Sequence, residues 1–413
     1  MNEIYENAKA FYATLGVDTE KAIEKMLSAP LSLHCWQGDD VLGFDSDEAL
    51  SGGISATGNY PGRARTPEEL MQDLDFALAL IPGKKKLNLH ASYALFAPGE
   101  KADRDAILPR HFAPWVEFAK KHGMGLDFNP TFFSHPMAKD NLTLSHPDEN
   151  IRAFWVRHGK ACLAIARYFA EETGVPCVMN IWIPDGYKDL PADRVSPRMR
   201  FKKSLDEILS FPYDRKKVFV TLESKVFGIG LESYTVGSSE FCLAYAQEKG
   251  ITPLLDNGHY HPTEEASDKI SSLLCFHKNI GLHLTRSVRW DSDHVPRYND
   301  ELRRLLEEVV AVGLDRVFLS TDYFDASINR VFAWVAGARN VRKALLWALL
   351  LPKEKMDALQ NDGEFTALFA LQERLAAAPF GAVWEEALNR CELPADEWEA
   401  ILPYEKEILE KRN

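Results

Sequence analysis

The chain has 413 residues, 46% of them hydrophobic, 11% aromatic and 26% charged, a composition that can bury a large core and excludes a disordered polypeptide. Its 61 acidic against 48 basic residues leave a net charge of −13, the wrong sign for a phosphate backbone, so no nucleic acid partner is expected. No apolar run reaches the ~18 residues of a membrane span, and "MNEIYENAKAFYATLGVDTEKAIEKML" lacks the basic and apolar regions of a leader, so the sequence reads as soluble and cytoplasmic, with no membrane partner.

In chain order, eight short apolar runs have strand length: "LSLHCW" (31–36), "KKLNLHA" (85–91), "GLDFN" (125–129), "CVMNIW" (177–182), "KVFVTLE" (217–223), "ITPLLDNG" (251–258), "IGLHL" (280–284) and "RVFLSTD" (316–322). Segments of helical period lie between them, among them 67–81, 111–123, 149–174 and 300–313. Gly123, Gly174 and Gly313 stand where these helices should end in a left-handed residue, each followed at once by an apolar run. Strands buried on both faces and alternating with helices predict a (β/α)8 TIM barrel over residues 1–329, with an N-terminal helix. Residues 330–413 carry only helical patterns and predict a C-terminal helical extension whose Trp334, Trp347 and Trp384 pack on the barrel or on another subunit. Six scattered cysteines (35, 162, 177, 242, 275, 391) without a C-x-x-C pair read as buried reduced thiols.

A barrel of this class works at the carboxyl ends of its strands, so the polar residues there are the candidates for chemistry. The fifth run ends in Glu223 and Lys225, the sixth in Asp256, His259 and His261, the seventh holds His283, and the eighth ends in Asp322 and Asp325. After the seventh, "VRWDSDH" puts Asp291 and Asp293 at i and i+2, on one side of an extended segment. Taken singly, each carboxylate is an ordinary turn former or helix cap; together, with His283 inside an apolar strand, they are not.

Glu223, Asp256, Asp291, Asp293 and Asp322 would bring five negative charges to one rim and demand cations, because a like-charge pair ~4 Å apart costs about 4 kcal/mol at an effective dielectric near 20. Two divalent ions supply them. Glu223, Asp256, His283 and Asp322 would hold one, and His259, Asp291 and Asp293 a second with positions left open for water and substrate. Oxygen-rich donors with imidazole and no thiolate favour Mn2+, with Co2+ or Mg2+ as substitutes, over structural zinc. His34 and His90, at the ends of the first two runs, fit a polar ligand and a satisfied core equally well. The loop "GGISATGNYPGRAR" (52–65) reads as a mobile lid, and "GIG" (228–230) lacks the companions of a phosphate loop.

Several stretches taken together, "LHCWQGDD" (33–40), "GGISATGNYPG" (52–62), "MNIWIPDG" (179–186), "ESKVFGIG" (223–230), "SYTVGS" (233–238), "LDNGHYHPTE" (255–264), "RWDSDHV" (289–295) and "DYFDASINR" (322–330), resemble the L-rhamnose isomerase family over nearly the whole chain. The resemblance implies a xylose-isomerase-like barrel, a cytoplasmic homotetramer, and interconversion of L-rhamnose and L-rhamnulose by a two-metal-assisted 1,2-hydride shift, the first step of L-rhamnose degradation. It also implies the two ligand sets given above. The pattern departs at Ser92, beside Tyr93, where an apolar residue is usual; this bears on the pocket for the sugar's methyl group.

For that reaction, Lys225 would stabilise charge at O1, His90 would orient the open-chain sugar, Asp322 would serve beside them in catalysis, and Trp36, Trp182 and Tyr93 would cover the sugar's carbons. The small-molecule sugar is the expected partner. A ketose 3-epimerase, an isomerase of another aldose, a non-catalytic sugar-binding protein and a metal-dependent nuclease on the same barrel are the alternatives; the last conflicts with the charge of −13.

Overall fold

The computed structural model describes every residue except 1, 2, 46–49, 52, 53, 57, 226–230, 232, 262, 287–292 and 413. Among the described residues the strands are β1 (Leu31–His34), β2 (Lys85–His90), β3 (Gly125–Asn129), β4 (Cys177–Ile181), β5 (Gly186–Tyr187), β6 (Val218–Glu223), β7 (Tyr234–Thr235), β8 (Thr252–Asp256), β9 (Ile280–Leu284) and β10 (Val317–Thr321). All but β5 and β7 form one closed parallel barrel in the order β1-β10-β9-β8-β6-β4-β3-β2, sealed where Ser32 of β1 faces Ser320 of β10. The short strands β5 and β7 pair antiparallel in the loops that follow β4 and β6. No helix among the described residues is long and apolar enough to cross a membrane.

The barrel forms where the sequence puts its apolar runs. Strands β1, β3 and β9 are buried at every position, because side chains of one parity fill the barrel and those of the other meet the helices. The helices Pro67–Ala79, Ala113–Lys121, Glu149–Thr173, Ser196–Leu209, Ser239–Lys249, Ala266–Leu274 and Asp300–Val312 fill the crossovers. Several start at a side-chain cap, as when Thr66 accepts from the Glu69 amide and Asn299 from the Leu302 amide. Gly123 and Gly174 take the left-handed conformation expected of them, at φ 60° and 68°. Gly313 departs from that expectation. It sits at φ 106° and ψ 121°, and a 3-10 turn, Leu314–Arg316, separates it from β10.

Helix Arg330–Leu349 packs against Asp300–Val312, Pro67–Ala79 and Thr19–Ser28, and also touches β1. Trp334, Trp347 and Trp384 are all buried within the chain. Arg342 is fully buried and donates to the carbonyls of Met26 (2.9 Å) and Ala29 (2.7 Å), at the end of a helix where carbonyls lack partners; Arg339 does the same for Leu80 (2.9 Å). The cysteines correct one expectation. Four are buried, but Cys275 is exposed and Cys391 half-buried: "LLCF" is apolar in sequence, yet Cys275 lies just past the end of Ala266–Leu274, where the chain turns outward with Phe276.

The helix Glu397–Arg412 returns to the loop that follows β1. Arg412 donates to buried Asp73 (2.6 Å), Tyr404 donates to the same carboxylate (2.5 Å), and the Tyr60 hydroxyl donates to Glu405. Arg330 completes the fastening, pairing with Asp40 (2.7 Å) and donating to the Tyr60 carbonyl (2.8 Å), while the Tyr60 amide donates to the Ala326 carbonyl (2.8 Å).

Candidate functional site

At the carboxyl ends of the strands lies a cavity of about 280 Å³. Its floor is acidic and its walls aromatic: Glu223, His259, Asp293 and Asp322 reach it, together with His90, Asn129, Asn180 and Lys225, and Trp36, Phe133, Trp182 and Phe324 line its sides. Ile54 and Ser55, from the glycine-rich loop, close one edge; residues 52, 53 and 57 of that loop lie outside the described residues.

Each carboxylate follows from its strand. Glu223 is the last residue of β6, Asp256 the last of β8, and Asp322 directly follows β10, while His283 is the fourth residue of β9 and points to the same axis. One ligand atom from each of these four lies within 4.8 Å of the others. The His283 Nδ1 stands 3.0 Å from Asp322 Oδ2, 3.5 Å from Glu223 Oε2 and 3.7 Å from Asp256 Oδ2. Neither that nitrogen nor Asp256 Oδ2 makes a geometrically sound hydrogen bond, though both are buried from water. Two buried polar atoms without a sound hydrogen bond, in a group of three carboxylates and an imidazole converging from four strand ends, make a donor set that suits a divalent cation. Asp256, His259 and Asp293 form a second group of the same compactness, so Asp256 stands between the two. Asp291 lies outside the described residues, as does most of "VRWDSDH".

Hydrogen bonds set the orientation of these groups. Asn180, in β4, donates to Glu223 Oε2 at 2.5 Å, and Thr221 donates to the Asn180 carbonyl oxygen at 2.9 Å, which fixes which end of the amide faces the carboxylate. The His259 Nδ1 lies 2.9 Å from the Ser224 carbonyl and 3.0 Å from Glu223 Oε1, so it carries the proton and the lone pair of the ring sits on Nε2. The Gly258 amide donates to Asp256 Oδ1 at 2.7 Å.

The electrostatics agree with a site built for added positive charge. Burial, then the charges of Glu223 and Asp322, push Asp256 up to about 7, although His259 and His283 pull the other way. Burial alone would lower His283, but Glu223 and Asp322 overcome it and hold its imidazole well above the usual range. His90 behaves oppositely: burial and the Arg104 charge drive it down to about 3, so it is neutral near pH 7. Its ring nitrogens have only long contacts, 3.4 Å to Asn129 Nδ2 and 3.3 Å to Thr131 Oγ1, and so keep capacity for a ligand hydroxyl. The Lys225 ammonium lies 5.2 Å from the centre of the Trp182 ring.

The structure brings Trp36, His90, Trp182, Lys225, Glu223, His259, Asp293 and Asp322 to one cavity, with Asp256 and His283 beneath. It does not bring Tyr93 there. The 3-10 turn Ala91–Tyr93 directs that ring into the core, fully buried, where its hydroxyl donates to Asp39 at 2.5 Å. Ser92 is likewise buried and off the cavity wall. His34 is a core histidine, its Nδ1 2.8 Å from the Thr321 hydroxyl. Sequence reasoning missed Asn129, Asn180, Phe133 and Phe324; the two asparagines carried the same signal as His283, a polar side chain inside an apolar strand.

An eight-stranded parallel barrel with carboxylates and imidazoles converging at its carboxyl end is the architecture of a metal-assisted enzyme acting on a small polar molecule. The model of the L-rhamnose isomerase family matches residues 1–412, and the chain belongs to that family. It is 51% identical to the L-rhamnose isomerase of Mannheimia succiniciproducens, covering 100% of this chain and 99% of the relative. It is 50% identical to that of Pectobacterium atrosepticum, over 99% of this chain and 98% of the relative. Among solved structures, an L-ribulose 3-epimerase covers 80% of this chain and 97% of its own at 14% identity and a TM-score of 0.48.

Proposed function

We infer that this protein is an aldose–ketose isomerase that interconverts L-rhamnose and L-rhamnulose. The observation that carries the reading is the convergence of Glu223, Asp256, His283 and Asp322 beneath one cavity, in a chain the family model matches over residues 1–412. We assign the role of metal ligand to those four and, for a second ion, to His259, Asp291 and Asp293, with Asp256 placed to serve both. Manganese suits these oxygen and imidazole donors. When bound, the ions supply Lewis-acid polarisation of the sugar's oxygens.

The protein's own groups do the rest. Hydrogen moves from C2 to C1, and a proton from O2 to O1. The Lys225 ammonium faces the charge that develops at O1, and neutral His90 offers a ring nitrogen to a hydroxyl of the open chain. Asp322, which lines the same cavity, is assigned a part in catalysis with them. Trp36, Trp182, Phe133 and Phe324 cover the methyl group and carbon chain, at about 0.8 kcal/mol for each CH2-sized group removed from water. Assembly as a homotetramer in the cytoplasm, with the helices after residue 330 packing and joining subunits, and a place at the entry of L-rhamnose degradation complete the proposal.

The test is turnover of L-rhamnose deuterated at C2 by chelator-stripped protein, with and without Mn2+. The reading requires ketose formation restored by Mn2+ with the label retained at C1. Loss of the label to solvent would mark proton abstraction instead, the chemistry of an epimerase.

A further inference from the structure

Trp36 serves the cavity as an apolar wall, and its nitrogen reaches a carboxylate of the same lining. The indole Nε1–H donates to Asp322 Oδ1 at 3.1 Å, leaving Oδ2 as the oxygen 3.0 Å from His283. Asp256 is held in the same way, the Gly258 amide taking Oδ1 and leaving Oδ2 as the oxygen 3.7 Å from His283, whereas in Glu223 the oxygen nearer His283, Oε2, is itself the one Asn180 holds. Asp322 is the most exposed of the four, with 22% of its side chain accessible, and therefore the one with most freedom to rotate about its last bond.

The indole itself cannot swing away. Trp36 is 1% exposed and wedged between His34, tilted against it at 5.2 Å between ring centres, and His90, edge-on at 4.2 Å. We propose that Trp36 is a positioning residue for Asp322, its N–H committing one carboxylate oxygen so that the other is presented to the ion, and that one ring thereby joins the sugar wall to the ligand set. This rests on the metal-isomerase reading given above.

The experiment measures Mn2+ affinity without sugar, by competition with a chromophoric chelator, in the parent, in Trp36→Phe, and in a protein carrying 3-benzothienylalanine at position 36, which keeps the shape of the indole and replaces its N–H by sulfur. Removing a group that orients a ligand weakens metal binding roughly 10–100-fold, and both replacements are expected to do so. The sugar's KM at saturating Mn2+ is expected to rise less than the Mn2+ dissociation constant. In an Asp322→Ala background, where the accepting oxygen is gone, Trp36→Phe is expected to add less than twofold. Parent-like Mn2+ affinity in the benzothienyl protein overturns the proposal, as does an undiminished effect of Trp36→Phe in the Asp322→Ala background. A parent that binds no Mn2+ sinks the metal reading itself, and this is seen before any variant is compared.

Discussion

Gly337 offers a test in which local propensity and tertiary packing disagree in sign. It lies inside the helix Arg330–Leu349, where replacing glycine by alanine ordinarily stabilises by about 0.8–1 kcal/mol. Here the added Cβ meets the Tyr323 hydroxyl at once, with Cζ at 2.7 Å and Cε1 at 3.0 Å. Tyr323 has no room to retreat. It is fully buried, its ring lies 4.2 Å from that of His34, and its hydroxyl donates to the Ala333 carbonyl at 2.8 Å. Overpacking costs about 1–3 kcal/mol and the disturbed buried hydroxyl about 1 more, so Gly337→Ala should be net destabilising by about 1–3 kcal/mol. For a chain of this length, that lowers Tm by roughly 1–4 °C. Because Tyr323 follows Asp322 directly, Mn2+ affinity should fall with it. Thermal unfolding of Gly337→Ala beside Gly337→Ala/Tyr323→Phe is the assay, the second change removing the oxygen that is struck first and recovering part of the loss. A Gly337→Ala protein that melts at or above the parent would refute the packing argument.

Three further outcomes are expected. Mn2+ at about 100 times its dissociation constant should stabilise the chelator-stripped protein by about 2.7 kcal/mol for each site it fills, read as a rise in Tm, because the ion at the four-residue set relieves the repulsion among Glu223, Asp256 and Asp322. Asn180→Leu leaves the buried Glu223 Oε2 without its donor; it should lower Mn2+ affinity roughly 10–100-fold by titration, while Asn180→Asp, which adds a charge, should do worse. Glu20 is held down to about 2 by hydrogen bonds from Arg390, then Lys9 and Tyr5. A carboxylate depressed in the folded state contributes stability that is complete above its unfolded pKa, near 4.5, and is lost as pH falls through about 2. Glu20→Gln should therefore melt below the parent at pH 7, with the gap closing between about pH 4.5 and 2; a gap that widens on acidification would contradict this.

The barrel was legible because a parallel strand buried on both faces must be written as an unbroken apolar run. For β3 and β9 the runs 125–129 and 280–284 match the strands residue for residue, and the remaining six differ by two residues or fewer at either end. The same logic exposed Glu223, Asp256, His283 and Asp322 as neighbours, since a closed sheet brings successive strand ends to one axis. Away from the strands the pattern thins. Tyr93 belongs to a turn whose direction periodicity does not encode, and Gly313 meets a 3-10 turn that no run of apolar residues announces. Phe133 and Phe324 reach the cavity from loops, where an aromatic residue reads the same whether it faces core or ligand. Pairing β5 with β7 needs only two residues from each of two distant loops, too few for any periodicity.

The fastening of Glu397–Arg412 onto the loop after β1 bears on how the molecule is made. Tyr60 meets Glu405 across 345 positions of sequence, and Asp73 meets Arg412 across 339; the barrel itself closes only when β10 reaches β1. During synthesis, therefore, the loop after β1 emerges early and is fastened in stages, Ser51 to Ser134 first, Tyr60 to Ala326 and Arg330 much later, and Tyr60 to Glu405 last of all. Contacts of such long range slow folding and leave apolar surface uncovered in the meantime. A nascent chain halted before residue 397 would have every strand of its barrel and still lack the contacts that Glu405 and Arg412 make with Tyr60, Gly62 and Asp73.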